Sequence, residues 1–245
     1  MKMKLLYSCL IVIGLSLHSS LFARDKTTAT NFFSLNAGVS SSFITGASFY
    51  QHKKFMDAYQ KELSSLKYNV SSSILPTTTA SFGVKYGIPF NDKIMIFAGL
   101  FYTPRGFTEN FSISDSVGLI EKYQFQMVAN YWDLYLGLKY KNPSGITLGI
   151  GAIAMYNVKD IVKIKKTTLV GGKEETTNSE QLFIQYYNVQ RDLFPAAPFI
   201  SVGYEQRWWN VELESSYTTN IFLATEVEMN FVSVNLKAGF VLLWD

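Results

Sequence analysis

The fold is decided by Trp132-Asp133-Leu134-Tyr135-Leu136-Gly137-Leu138-Lys139-Tyr140, then Lys141-Asn142-Pro143-Ser144-Gly145, then Ile146-Thr147-Leu148-Gly149-Ile150-Gly151-Ala152-Ile153-Ala154-Met155-Tyr156. One parity of the first arm carries Leu134, Leu136, Leu138 and Tyr140, and the other carries Asp133, Tyr135, Gly137 and Lys139. Past the turn, Ile146, Leu148, Ile150, Ala152, Ala154 and Tyr156 stand against Thr147, Gly149, Gly151, Ile153 and Met155. Neighbouring side chains on a strand point to opposite faces, so period two on both sides of a tight turn reads as an antiparallel hairpin. Each arm runs about ten residues, against roughly five or six in soluble sheets. A sandwich would bury the apolar face against a second sheet. A transmembrane barrel turns that face to lipid and the polar face to its lumen.

Working outward, the same alternation marks strands at Asn31–Ser40, Thr79–Ile88, Ile94–Phe107, Lys122–Tyr140, Ile146 to about Ile164, Pro198–Trp208, Val211–Thr218 and Val232–Trp244. The apolar parity of the fourth moves from Tyr123, Phe125, Met127 and Ala129 to Leu134, Leu136 and Leu138, which predicts a β-bulge near Tyr131-Trp132. Short links near Pro89–Asp92, Lys141–Gly145 and Trp208–Asn210 alternate with long ones at Phe43–Thr78, Thr108–Glu121, Lys165–Asp192 and Asn220–Glu228. Within the first long link, Phe55, Tyr59, Leu63 and Leu66 have helical spacing over Lys53–Lys67. Such a helix would cap the barrel mouth, lie on the membrane or dock a partner. Aromatic residues gather at strand ends, as Tyr86, Tyr140, Tyr204, Trp208, Trp209 and Trp244 near short turns, and as Tyr102, Tyr131 and Tyr156 toward long loops. The expected fold is all-β: a transmembrane antiparallel up-and-down β-barrel of about eight strands, with short periplasmic turns and long extracellular loops.

Composition agrees. Of 245 residues, 17% are charged and 16% aromatic, and the charged share is below the roughly 25% of soluble domains. A mean hydropathy of +0.08 is too low for a helical membrane protein but suits strands whose every second residue is polar. Met1–Ala23 reads as a secretory signal peptide with Lys2 and Lys4 before the apolar run Leu5–Leu17, leaving 24–245 as the barrel domain. Its removal takes the formal charge from +3 to +1, which offers nothing to nucleic acid. It also removes Cys9, the only cysteine, so the exported chain forms no disulfide.

Catalytic chemistry finds few candidates. His52, beside Lys53 and Lys54, is the only histidine after export and reads as a solvated loop residue, so neither a hydrolase nor a metal centre is expected. Glu174, Glu175 and Glu180 read as a solvated acidic loop, and Gly171-Gly172-Lys173 lacks the rest of a phosphate-binding loop. No enzyme activity and no cofactor is expected. Inward parity instead places Lys85, Lys139, Glu205, Arg207, Glu212 and Glu214 near the short turns, with Lys237 and Asp133 nearer mid-height. An eight-strand barrel is just wide enough to be filled by side chains, and unpaired buried ions are costly. These residues are therefore expected to form an ion-pair network that plugs the lumen, the rival being a thin ion path. Lys159, Lys163, Lys165 and Lys166 form a second candidate, a basic ledge for phosphates of the outer-leaflet glycolipid.

Three segments carry a family resemblance. Phe33-Ser34-Leu35-Asn36-Ala37-Gly38-Val39, Leu100-Phe101-Tyr102-Thr103-Pro104-Arg105-Gly106-Phe107 and Tyr131–Tyr140 resemble strands of the porin-like outer-membrane β-barrel domain of Bacteroidota-type bacteria, with Tyr135 where that family has proline. The resemblance implies a Gram-negative cell envelope, an outer-membrane location and a non-enzymatic barrel. Three roles fit: a structural or interaction barrel acting through its extracellular loops, a narrow passive channel, and the barrel component of a protein-secretion assembly. The expected partners are outer-membrane lipid and glycolipid and a protein at the loops. The residues set no oligomeric state.

Overall fold

The computed structural model describes residues 31–115, 120–170, 173–182, 195–218 and 230–244. The signal-peptide reading and the loop around Ile221–Glu228 lie outside them. In order come β1 (Asn31–Thr45), α1 (Ala47–Ser65), β2 (Asn69–Pro89), β3 (Ile94–Ser114), β4 (Ile120–Lys141), β5 (Ile146–Val170), β6 (Lys173–Leu182), β7 (Ala196–Glu205), β8 (Trp209–Thr218) and β9 (Asn230–Trp244). Each strand pairs antiparallel with its neighbours. β1 joins both β2 and β9, and β4 joins β5, so eight strands close a ring of β1, β2, β3, β4, β5, β7, β8 and β9. Closure satisfies every edge of the sheet at barrel height, the condition for spanning lipid with strands.

Short turns hold the register at one end. Asn142 Oδ1 accepts from the backbone of Ser144 and Ile146 at 3.0 and 2.9 Å, and Gly145 takes a φ of 92° that a side chain would resist. Asn91 Oδ1 does the same for Lys93 and Ile94 in the β2–β3 turn, at 2.9 Å each.

The hairpin's two faces separate as its alternation requires. Leu136 and Ile150 are each 63% exposed, while Tyr135 and Ile153 are fully buried. Leu134, Leu138, Leu148, Ile200 and Leu213 extend the apolar exterior around the ring. On β4 it runs from Trp132 to Tyr140, roughly 20 Å along the barrel axis at the usual rise and tilt. Phe82, Tyr102 and Trp132 contact one another at its upper rim, with centroids 5.4 to 6.5 Å apart. Tyr156 continues this girdle beside Trp132, and Trp208 stacks on Phe240 at the lower rim. Tyr131, expected in the girdle, is instead buried in the lumen; Trp132, one residue on, takes the outward place. The side chain of Trp244 is outside the described set.

The long-loop end holds more structure than the sequence suggests. The segment expected as a polar loop from Lys165 contains the rest of β5 and all of β6, paired as a hairpin from Ile161↔Leu182 to Val170↔Lys173. β2 and β3 likewise pair out to Asn69↔Ser114, well past their expected ends. The helix begins six residues earlier than expected, so His52 falls within it rather than in a loop. Gln60 donates to the Val70 carbonyl at 2.9 Å, and Tyr59 stacks on Phe111 with centroids 6.1 Å apart. Phe111 lies on the inward parity of β3, so α1 rests on the inner side of the strands that rise above the ring.

The expected bulge occurs at the expected height but on the facing strand. Asn130 pairs with Lys159 and Tyr131 with Asn157, so Val158 is the extra residue, on β5. β4 keeps one parity throughout: Met127, Ala129, Tyr131, Asp133 and Tyr135 are all buried. Its change of hydropathy reflects an apolar upper lumen rather than a flipped strand.

Candidate functional site: the lumenal charge column

The lumen near the short turns is filled by paired ions stacked in tiers. Lowest, Lys139 and Lys141 share Glu205 at 2.6 and 2.9 Å. Above them Lys85 reaches across the lumen to Glu212 at 2.7 Å. Next, Lys237 donates to Glu214 at 2.8 Å and to the Tyr135 hydroxyl at 3.0 Å. That hydroxyl donates to the other Glu214 oxygen at 2.7 Å, which also accepts from Asn235 at 2.9 Å. At mid-height Arg105 grips Asp133 with both guanidinium arms, at 3.0 and 2.6 Å, and its Nε donates to Ser233 at 3.3 Å. Lys141 apart, none of these charged side chains is more than 5% exposed.

Rings complete the cations' surroundings. Lys139 Nζ lies 4.8 Å from the Phe32 centroid, and Lys85 Nζ 5.2 Å from that of Phe97. Lys237 Nζ is 4.4 Å from both Phe101 and Tyr135, and the Arg105 guanidinium is 5.3 Å from Tyr131. A ring face attracts a desolvated cation, so the ammonium groups of Lys85, Lys139 and Lys237 each have both a carboxylate and an aromatic neighbour. Gly137 and Gly151 leave room for this packing, since a Cβ on either would press on the Phe199 ring. In this arrangement each carboxylate faces a cation, so the column is close to neutral along its length.

Six of the seven residues singled out for this column lie in it. Arg207 does not. β7 ends at Glu205 and the chain turns at Gln206–Trp208, where Arg207 is exposed over the Trp208 ring at 5.0 Å. The alternation that would carry it inward stops two residues earlier. Arg105 takes its place in the lumen and was legible: it continues the inward parity of Phe101 and Thr103 on β3. Its partner Asp133 lies at mid-height on the inward parity of β4.

The ledge divides between two faces. Lys159, Lys163 and Lys165 are exposed on the outward side of β5, Lys163 with Glu180 at 4.0 Å. Lys166 is on the opposite side, 2.9 Å from Glu121 and 5.1 Å from the Tyr123 ring. Its hydrogen bond holds the Glu121 carboxyl below the ordinary glutamate range. Val158 sets this division, because the bulge reverses which β5 residues face out.

No family model matches the chain, and no curated protein matches it. Solved structures do resemble it in strand layout. The attachment invasion locus protein Ail of Yersinia pestis aligns with 87% of this chain and 99% of its own, at 12% identity and a TM-score of 0.39. The outer membrane protein OprG of Pseudomonas aeruginosa aligns over 89% and 98%, at 8% identity and a TM-score of 0.38. Neisserial surface protein A aligns over 86% and 97%, at 10% identity and a TM-score of 0.31.

Proposed function

We propose that this chain is a non-enzymatic integral outer-membrane barrel, closed to diffusion by its own lumenal side chains and acting through what it presents at the long-loop end. The carrying observation is the lumen itself, where Lys85, Arg105, Lys139 and Lys237 each meet a carboxylate at 2.6 to 2.8 Å with almost no exposure. A water-filled pore would leave such charges hydrated, whereas a dry plug has to pair them. The apolar exterior with its two aromatic rims supports membrane insertion. The resemblance of the β1, β3 and β4 segments to the porin-like barrels of Bacteroidota-type bacteria is part of the same reading, as is export by Met1–Ala23.

A thin water path is the second reading. It draws on Ser40, Ser81, Thr103 and Asn235, whose buried oxygen atoms on β1, β2, β3 and β9 have no protein hydrogen-bond partner. Single-channel recording on the refolded barrel separates the two, since steady, reproducible conductance from the unmodified protein would refute the plug. Insertion is tested independently. The protein should run as a heat-modifiable band and stay with the membrane fraction, and Leu136→Arg should cost about 2–4 kcal/mol of stability. A soluble periplasmic pool holding most of the protein would sink the proposal.

A further inference from the structure

From the outward side of the strands above the girdle, we infer that this barrel holds the phosphorylated sugar headgroup of a membrane glycolipid. The inference rests on the membrane-spanning reading. Starting at the Trp132–Tyr156 rung of the girdle, the outward face climbs through the rungs Asn130↔Lys159, Val128↔Ile161, Gln126↔Lys163 and Gln124↔Lys165 to Lys122↔Thr167. β6 widens it by placing Glu180 beside Lys163 and Asn178 beside Lys165. Gln124, Gln126, Lys163, Lys165, Asn178 and Glu180 line a shallow groove of about 350 Å3. Lys122, Lys159, Lys163 and Lys165 are all exposed, so their charges are available to a ligand.

Height selects the ligand. At the usual rise and tilt, Lys159 lies roughly 5 Å above the girdle, and Lys163 and Lys165 roughly 15 to 20 Å above it. A phospholipid headgroup layer is only about 6 Å deep. The ladder overshoots it and spans the depth of a larger headgroup. Its chemistry matches as well: lysines act as point charges for phosphate, while the amides of Gln124, Gln126 and Asn178 both donate to and accept from sugar hydroxyls. Glu180 leaves the groove net cationic and offers one further acceptor. The face continues the lipid-contacting surface directly, so a headgroup reaches it without its acyl chains leaving the bilayer.

The test uses the full exported chain, reconstituted in phosphatidylcholine vesicles and floated on a density gradient. Failure to float defeats the membrane reading itself. For floating protein, native mass spectrometry then measures retention of three probes supplied in equal amounts: bis-phosphorylated lipid A, phosphatidylglycerol and a neutral galactosyl diglyceride. Lipid A should be retained roughly tenfold or more over either of the others, since only it offers two phosphates to the lysines together with sugar hydroxyls to the amides. Lys159→Gln, Lys163→Gln and Lys165→Gln together should abolish that preference while the heat-modifiable band persists. Lys166→Gln removes one such charge from the other face and should change nothing. Equal retention of lipid A and phosphatidylglycerol, undiminished lipid A binding by the triple variant, or an equal loss with Lys166→Gln would each overturn the inference.

Discussion

The lower and upper halves of the lumen are packed by different means. Toward the short turns, Lys139–Glu205, Lys85–Glu212 and Lys237–Glu214 neutralise one another between Phe32, Phe97, Phe101 and Tyr135. Toward the long loops, Phe107, Met127, Ala129, Met155, Val162, Phe231 and Ile44 form an apolar cluster, with the Asn157–Asp160 hydrogen bond of 2.7 Å as a polar exception. The Arg105–Asp133 pair lies at the border. Apolar packing tolerates small shifts and contributes in proportion to area. Buried ion pairs contribute little net stability, but each partner is costly to strand. The lower half therefore specifies a geometry, and the upper half supplies burial.

Removing two carboxylates should break this contrast most severely. Glu212→Ala combined with Glu214→Ala strands Lys85 and Lys237, and equilibrium unfolding in detergent should lose more than about 5 kcal/mol. Bilayer recording should also register a leak that the parent lacks. Next comes Asp133→Ala, which strands Arg105 at the border and should cost about 3–5 kcal/mol. Arg105→Met with Asp133→Leu should return to within about 1 kcal/mol of the parent, since an apolar pair leaves no charge unmet. A double variant as unstable as the single would mean that the pair is not the source of the loss.

In the upper half, Met127→Ala should cost about 2–4 kcal/mol through a cavity, with no new conductance and the same loss at low and high salt. The smallest effect is expected from Tyr135→Phe. It deletes the hydroxyl shared by Lys237 and Glu214 but keeps the ring, and about 1 kcal/mol on a thermal or denaturant scan is the expected loss. If Met127→Ala opened a leak while Glu212→Ala with Glu214→Ala did not, the roles assigned to the two halves would be reversed.

The same contrast explains what could be read in the sequence. Where lumen and exterior differ in polarity, as along Trp132–Tyr140, alternation alone assigned the faces and placed Asp133 and Lys139 inside. In the outer part of β4 the inward residues are themselves apolar, so Tyr123, Phe125, Met127 and Ala129 carried no mark of which side they took. That ambiguity moved a bulge belonging at Val158 onto β4 and put Tyr131 in the girdle. β6 was invisible for the opposite reason. Its residues from Lys173 to Gln181 are exposed on both sides, and a strand that buries neither face writes no periodicity. Arg207 was lost to a turn arriving two residues before the pattern implied.

At Val158 the fifth strand changes partners: below it Ile146–Ala154 pair with β7, and above it Ile161–Val170 pair with β6. Girth and height are thereby set by different parts of one strand. Adding or deleting a matched pair of residues on either side of the β5–β6 tip would lengthen or shorten that tower while every hydrogen bond of the ring stayed in step. The fork lets the β5–β6 extension, braced on one side by β4, be remodelled by selection or by design without reopening the problem of how eight strands close.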